Sequence, residues 1–210
     1  YYFGTRTIHP MKTSYTRVMN LRAVCALFCA SLSLVPLQVS AARLYIDPAT
    51  STQGLSDTFV STVRIDTEGE CINAVHVGLQ YSVDSIRAVD FSRGESIMSL
   101  WIEEPALDTS KGTVTFSGGI PGGYCGRIQG DPAQTNIVGK VIFSVINADV
   151  PRATIHFTPE TKVYVHDGSG TAAALSIASV TYDIVSTPQA VGNPWLAEVA
   201  PDTVPPAVFS

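Results

Sequence analysis

The residues best suited to acid–base chemistry are three histidines in the body of the chain, His76, His156 and His166. A hydrolase would place a nucleophile and a carboxylate around one of them. The sequence has neither a G-x-S-x-G nucleophile elbow nor an H-E-x-x-H zinc-binding helix. His76 and His156 instead lie in the middle of strand-like stretches, which favours ordinary positions on a sheet face. We therefore predict a protein without catalytic residues.

Two acidic motifs have residue types found in glycosidase active sites and in calcium-binding loops. Glu103-Glu104 has the composition of a glycosidase pair, but such a pair needs facing carboxylates about 5–10 Å apart, and adjacent strand residues point to opposite faces. We expect a solvated loop before Pro105. The loop 167–170 (Asp-Gly-Ser-Gly) has one carboxylate and lacks the calcium-binding D-x-[DN]-x-[DN]-G ladder, so a plain turn is expected. No metal site and no cofactor is predicted.

Aromatic side chains offer a third kind of chemistry, because sugar rings stack on flat apolar faces. Trp101 is the only tryptophan of the chain body, and Tyr124 and Tyr164 are the other candidates. A sugar-binding platform usually shows several aromatics with a period of two, and no such series is present. Trp101 is therefore expected to be a core or loop anchor, and it is also kept as a candidate binding residue.

The distribution of charge excludes one class of partner. The chain of 210 residues has 13 Lys and Arg against 18 Asp and Glu, a net charge of −5. All 18 acidic residues follow Ala42, together with nine basic ones, so residues 43–210 carry 9 − 18 = −9. A nucleic-acid-binding protein needs a basic stripe that displaces counterions from phosphates. No nucleic-acid partner is predicted.

The two ends of the chain read as segments outside the folded domain. Residues 11–42 combine a basic start, an apolar run at 23–35 and small residues before a cleavage point, as in a secretory signal peptide. Residues 1–10 precede any plausible start and are expected to be a non-native leader. Residues 186–210 contain five prolines and are expected to form a linker into a further module. These features predict a secreted, surface-attached protein, with any membrane anchor outside this chain.

Between these ends, residues 43–185 show a period of two rather than 3.6. Val75, Val77 and Leu79, for example, alternate with polar or small residues, and Gly, Pro, Asp and Ser mark the breaks. We expect about nine strands, at 43–48, 58–67, 72–82, 86–91, 113–117, 137–146, 154–157, 162–165 and 177–185. A helical turn is expected around 96–102. The pattern predicts an all-β, antiparallel β-sandwich.

Two cysteines remain after the signal segment, Cys71 and Cys125. An exported pair in an oxidising compartment is expected to form a disulfide. The bridge would fasten the Gly-rich stretch before Cys125 to the start of the strand after Cys71. Without a C-x-x-C motif the bridge would be structural, and two free buried thiols are the alternative.

Three segments together resemble one known family. The strand that ends in Tyr81, a short break and the stretch 86–91 (IRAVDF) are similar to the L-x-Y-D-x-x-x-L pattern of cohesin modules, with Ser82 where the family has Asp. The segments 112–119 (GTVTFSGG) and 138–143 (VGKVIF) resemble two further cohesin strands. The segment 116–123 (FSGGIPGG) is similar to a loop of cohesin-like domains in bacterial surface proteins. The resemblance covers residues 43–185.

The resemblance to cohesins implies a jelly-roll sandwich of about nine strands, related to carbohydrate-binding modules. It implies a non-catalytic scaffolding module whose partners are dockerins, with the calcium sites on the dockerin. It also implies binding through the sheet face that includes the outward positions of the strand before Tyr81. Those positions are Ala74, His76, Gly78 and Gln80.

Three functions remain open from the sequence. The first is adhesion or scaffolding through a dockerin-like protein partner, with candidate binding residues His76, Gln80, Thr113 and Thr115. The second is a carbohydrate-binding module of a polysaccharide-degrading system, centred on Trp101. The third is a structural spacer without a ligand.

Overall fold

The computed structural model describes Gly4 and residues 41–127 and 135–189. All of these except Gly4 belong to one structural unit, Val39–Ser210. The expected leader, nearly all of the signal segment and most of the linker lie outside the described residues, so those expectations stay predictions. The described part contains no helix that is long and apolar enough to cross a membrane.

Twelve strands and no helix form the described part of the chain, which confirms the all-β prediction. The strands are β1 (Ala42–Asp47), β2 (Thr52–Gly54), β3 (Thr58–Asp66), β4 (Ile72–Tyr81), β5 (Ile86–Ser92), β6 (Leu100–Asp108), β7 (Thr113–Tyr124), β8 (Ile137–Val145), β9 (Arg152–Phe157), β10 (Lys162–Val165), β11 (Leu175–Ala178) and β12 (Val180–Val185).

The strands form two sheets that pack face to face. The five-stranded sheet has the order β11-β1-β3-β8-β5, and the seven-stranded sheet has the order β2-β12-β9-β4-β7-β6, with β10 also paired to β4. The pairs β1–β11 and β2–β12 are parallel, and the other strand pairs among the described residues are antiparallel. The sheets are therefore mixed rather than wholly antiparallel, because strands from opposite ends of the domain run side by side at the sheet edges.

The alternating side chains of β3, β4 and β8 supply much of the core. On β4, Val75, Val77, Leu79 and Tyr81 are all buried, while the residues between them face outward. The period of two predicted this arrangement, since neighbouring residues of a strand point to opposite faces. One face of each sheet thus closes the sandwich, and the other is left available for binding.

The expected strand 177–185 is wrong, because this segment is divided into β11 and β12, which belong to different sheets. Two further strands were not predicted. β2 is only three residues long, and β6 falls where a helical turn (96–102) and a loop at Glu103-Glu104 were expected. Those two predictions are wrong. β6 is an edge strand that bonds only to β7, and its pairing shifts register on both sides of Glu103. An edge strand tolerates Pro105 and irregular pairing, which hide the period of two.

The Gly-rich stretch is also more regular than expected, because β7 continues through Gly118 and Gly119 to Tyr124. A Cβ atom at Gly118 would lie 2.8 Å from the Met98 sulfur and 2.9 Å from the carbonyl oxygen of Leu100. Glycine is needed at this position so that the chain around Met98 and β6 can approach β7 closely. Gly118 was expected to lie in a loop after the strand. It instead lies within β7, where the absence of a side chain allows close packing.

The predicted disulfide is confirmed. Cys71 and Cys125 are bridged, with a sequence separation of 54 and Cα atoms 4.0 Å apart. Next to the bridge, the His166 amide donates to the Cys71 carbonyl at 2.8 Å. The bridge therefore joins the end of β7 to the start of β4, next to the segment that follows β10.

Replacing both cysteines by serine should lower the free energy of unfolding by up to about 4 kcal/mol, because the unfolded chain regains the entropy of a long loop. Urea unfolding followed by tryptophan fluorescence measures this loss. Reduction of the wild-type protein should reproduce it. An unchanged midpoint in both experiments would contradict a stabilising role of the bridge.

Two buried tyrosines differ in whether their hydroxyl groups are satisfied. The Tyr182 hydroxyl donates to the Pro48 carbonyl at 2.9 Å and lies 3.2 Å from the Ser61 hydroxyl. Its burial raises the pKa of the Tyr182 phenol. The Tyr81 hydroxyl is buried without a hydrogen-bond partner among the described residues, while the Tyr81 ring packs edge-on against Phe143. Tyr182 thus links β12 to the end of β1 and to β3, whereas Tyr81 contributes through its ring alone.

Tyr182→Phe should lower the free energy of unfolding by about 1–2 kcal/mol, because the buried partners lose their hydrogen bond. Tyr81→Phe is the matched control. It should leave stability unchanged or raise it by up to about 1 kcal/mol, because it removes an unsatisfied hydroxyl. Urea unfolding of the two variants compares them directly, and an equal loss in both would contradict the assignment.

Candidate functional site

The outer face of the seven-stranded sheet brings together most of the predicted binding residues. The register places Gln80 of β4 between His156 of β9 and Thr113 of β7. One step along the sheet, Gly78 lies beside Thr115. A further step pairs His76 with Lys162 of β10 on one side and Ser117 on the other. These residues alternate with buried ones, so they share one exposed surface.

A groove of about 470 Å³ opens on this face. Four predicted residues, His76, Gln80, Thr113 and Thr115, line it. The remaining lining residues are Leu79, His156, Thr158, Pro159 and Glu160. The groove thus has hydroxyl, amide, imidazole and carboxylate groups along its walls. Such a mixed polar surface suits hydrogen bonding to a ligand or to a protein side chain.

One wall of the groove is a turn that is fastened to Gly78. The Thr158 amide donates to the Gly78 carbonyl at 2.9 Å, and the Thr161 hydroxyl lies 3.1 Å from the Gly78 amide and 3.0 Å from its carbonyl. A Cβ atom at Gly78 would lie 2.2 Å from the Thr158 hydroxyl oxygen. The turn 158–161 therefore bends over β4 at the one position where β4 has no side chain.

Two carboxylates near the groove are held by local hydrogen bonds. The Thr158 hydroxyl donates to Glu160 and lowers the pKa of that carboxyl, with smaller contributions that include the nearby His76. At the end of β6, the Ser110 hydroxyl and the Lys111 amide donate to Asp108 and hold its pKa at about 2. Asp108 thereby shapes the turn that leads into Thr113.

The turn between β6 and β7 also orients Gln80. The Gln80 side-chain amide donates to the Lys111 carbonyl at 2.7 Å. This bond uses one of the amide's two donor hydrogens and leaves its carbonyl oxygen without a bond to the described residues. Gln80 is therefore held toward the Thr113 end of the groove.

His76, Glu103 and Ser117 have the residue types of a catalytic triad, but not its connectivity. A Glu103 carboxylate oxygen lies 3.5 Å from His76 Nδ1 and 3.5 Å from the Ser117 hydroxyl. In a triad the histidine lies between the acid and the serine and accepts the proton of the serine. Here the carboxylate occupies the middle position, since Glu103 reaches across β7 toward β4. The geometry supports polar recognition rather than nucleophilic catalysis.

Trp101, the fifth predicted binding residue, lies away from the groove. It is in register with Gly118 and Val75, on the side of the sheet that faces the core. Its ring contacts Phe91 and Phe116 at centroid distances of 5.7 and 6.2 Å. Arg93 covers it, with the guanidinium carbon 4.7 Å from the ring centroid. These contacts favour an anchor at the edge of the core.

The other candidate aromatics do not share a surface with Trp101. Tyr124 is in register with the buried Ile72 and packs partly against the core. Tyr164 is in register with Ala74, on the outer face. A sugar platform requires rings that present their faces on one side, and these three rings lie on two sides of the sheet.

The Asp167 loop is held by local hydrogen bonds. Asp167 accepts hydrogen bonds from the Thr171 hydroxyl and the Ser169 amide, which lower the pKa of its carboxyl. Across the described ranges, no three His, Cys, Asp or Glu side chains are grouped so that they could hold a metal ion.

Sequence reasoning missed one wall of the groove, formed by His156 and the turn Thr158-Pro159-Glu160. The Thr-Pro pair after a strand signals a turn. It gives no sign that the turn folds onto β4, because that depends on β9 and β10 sharing one edge of β4.

Gly78→Ala should lower the free energy of unfolding by about 1–3 kcal/mol, because the added methyl group collides with the Thr158 side chain. Adding Thr158→Ala removes the colliding hydroxyl and should recover most of this loss. Thr158→Ala alone is the control. Thermal unfolding of the three variants measures the effect, and a single Gly78→Ala variant as stable as wild type would contradict the packing.

Comparison with known proteins gives a consistent answer at the level of the fold. No protein-family model matches the sequence, and no curated protein matches it either. Among solved structures, a chain of a type I cohesin–dockerin complex from Clostridium thermocellum matches with a TM-score of 0.56 at 10% identity, covering 70% of this chain and 95% of that chain.

Two further cohesins agree with this match. The seventh ScaB type I cohesin from Pseudobacteroides cellulosolvens has a TM-score of 0.55 at 10% identity and covers 73% of this chain and 97% of that chain. The cohesin module of a family 33 glycoside hydrolase from Clostridium perfringens has a TM-score of 0.52 at 10% identity, over 70% and 99%. The domain of this chain therefore has the fold of a cohesin module, which confirms the predicted jelly-roll sandwich.

Proposed function

We propose that this chain carries a non-catalytic binding module of an exported, surface-attached protein, and that its partner is a dockerin-like protein module. The observation that carries the proposal is the convergence of His76, Gln80, Thr113 and Thr115 on one groove of the outer sheet face. The cohesin fold supports it, because solved neighbours of this fold come from cohesin–dockerin complexes. The signal-like segment 11–42 supports export.

The chemistry of the face fits a protein partner. β6 adds an exposed apolar side chain to the face that carries the groove, because Leu100 is 56% exposed. Leu100 is in register with Gly119 and Ala74, on the same face as His76. Protein interfaces combine an apolar centre with a rim of hydrogen-bonding groups. In the proposed complex, Leu100 contributes apolar area and the groove contributes specificity.

The carbohydrate-binding alternative draws no support from the arrangement of the aromatic side chains. Trp101 packs against Phe91, Phe116 and Arg93, so its ring is committed to the domain itself. A groove lined with Thr, Gln and His could still hydrogen-bond sugar hydroxyls. The experiment below therefore also measures polysaccharide binding. If the module binds neither protein nor polysaccharide, the result would favour a structural spacer domain.

Thr115→Arg should lower the affinity for the partner at least about tenfold, because it fills the groove with a charged side chain. Thr62→Arg is the matched control, since Thr62 is a half-buried, outward-facing threonine in the interior of β3 on the other sheet. Calorimetric titration with a panel of type I dockerin modules in calcium-containing buffer measures the affinities.

The same proteins are then run through gels that contain plant and microbial polysaccharides. Dockerin binding that is lost in Thr115→Arg and kept in Thr62→Arg supports the proposal. Retardation by one polysaccharide without any dockerin binding would replace it with the carbohydrate-binding alternative. No interaction in either assay would leave a spacer domain.

A further inference from the structure

The ordered chain continues beyond the last strand, and it is held there by a buried carboxylate. Asp57 is 8% exposed and lies in the loop between β2 and β3. One of its carboxylate oxygens accepts hydrogen bonds from the Gly54 amide at 2.7 Å and from the Gln189 amide at 2.9 Å. Hydrogen bonds to an ionised acceptor are among the stronger ones in proteins. The start of the Pro-rich segment is therefore bonded to the domain.

Close packing at Gly54 holds the same segment. A Cβ atom at Gly54 would lie 2.2 Å from the Thr187 carbonyl oxygen, 2.5 Å from Pro188 Cα and 2.6 Å from the Gln189 nitrogen. All three are backbone atoms, which cannot move aside unless the whole segment moves. Residues 187–189 thus lie directly on the backbone of β2, and only glycine leaves room for them.

The loop that holds the segment also connects the two sheets. The Leu55 amide donates to the Val185 carbonyl at 2.9 Å, at the end of β12 in the seven-stranded sheet. The Ser56 amide donates to the Val145 carbonyl at 3.1 Å, and the Val145 amide donates to the Asp57 carbonyl at 2.9 Å, at the end of β8 in the five-stranded sheet. Asp57 lies where this end of the sandwich is closed.

From these contacts we infer that the folded domain extends beyond Val185 to at least Gln189, and that Asp57 and Gly54 form a clamp for the first residues of the Pro-rich segment. The chain that follows leaves from a fixed point on the sandwich. A linker held in this way restricts the orientations that the binding face adopts relative to the polypeptide beyond it.

Amide hydrogen exchange of the full chain, measured by NMR, tests the clamp. In wild type, the Gln189 amide should exchange at least tenfold more slowly than expected for an unstructured peptide. Asp57→Ala should abolish this protection. Asp183→Ala is the matched control, because it removes an exposed carboxylate of β12 whose ion pair with Arg152 has atoms 3.6 Å apart. It should leave the Gln189 amide protected.

A second variant covers the case in which Asp57→Ala fails to fold. Gln189→Pro removes the N–H group that donates to Asp57, together with the side-chain hydrogen bond from Gln189 to the Thr187 carbonyl, and it changes no residue of the core. It should lower the thermal midpoint by about 2–4 °C and speed exchange of the Gly54 amide. Unprotected exchange at Gln189 in wild type, or a midpoint and Gly54 exchange unchanged in Gln189→Pro, would overturn the inference.

Discussion

The hydrogen bonding of β4 on both of its edges is the constraint on which the core and the groove both depend. β7 pairs along one edge, while β9 and β10 divide the other edge between them. Because β9 and β10 are consecutive strands, the chain between them must leave the edge of β4 and return to it. The turn 158–161 makes this connection opposite Gly78. The groove is the consequence, because the turn forms a wall beside a strand position that carries no side chain.

The same strand separates the core residues from the groove residues. Its inward side chains, Val75, Val77, Leu79 and Tyr81, are in the core, and its outward ones, His76 and Gln80, face the groove. Because the side-chain period of a strand is two, a change of one residue in register would exchange the two sets. Burial of the apolar set thereby fixes which polar residues lie on the outer face.

The ends of the sandwich are closed by contacts that are local in space and distant in sequence. The disulfide joins the end of β7 to the start of β4. Tyr182 bonds to Pro48 and Ser61, and Asp57 bonds to Gln189. Each contact joins segments that are at least 50 residues apart, and each closes a gap that the strand ladders leave open. The contacts that fasten these ends therefore involve none of the residues that line the groove.

The alternation of apolar and polar residues was sufficient to predict an all-β sandwich, the bounds of most strands and the face on which His76, Gln80, Thr113 and Thr115 lie. Alternation is a local property that can be recognised directly from the order of the residues. The number of strands, β6, the parallel pairs and the wall at Thr158–Glu160 were not predictable in this way.

These features are decided by which segments meet across the sheets. β6 forms a strand because it can hydrogen-bond to the edge of β7. Glycine is needed at 78 because Thr158 packs over it, and at 118 because Met98 and Leu100 do. The sequence by itself determined which side chains are buried and which are presented. Only the tertiary structure decided which presented side chains form one site, because hydrogen bonding between distant strands places them side by side.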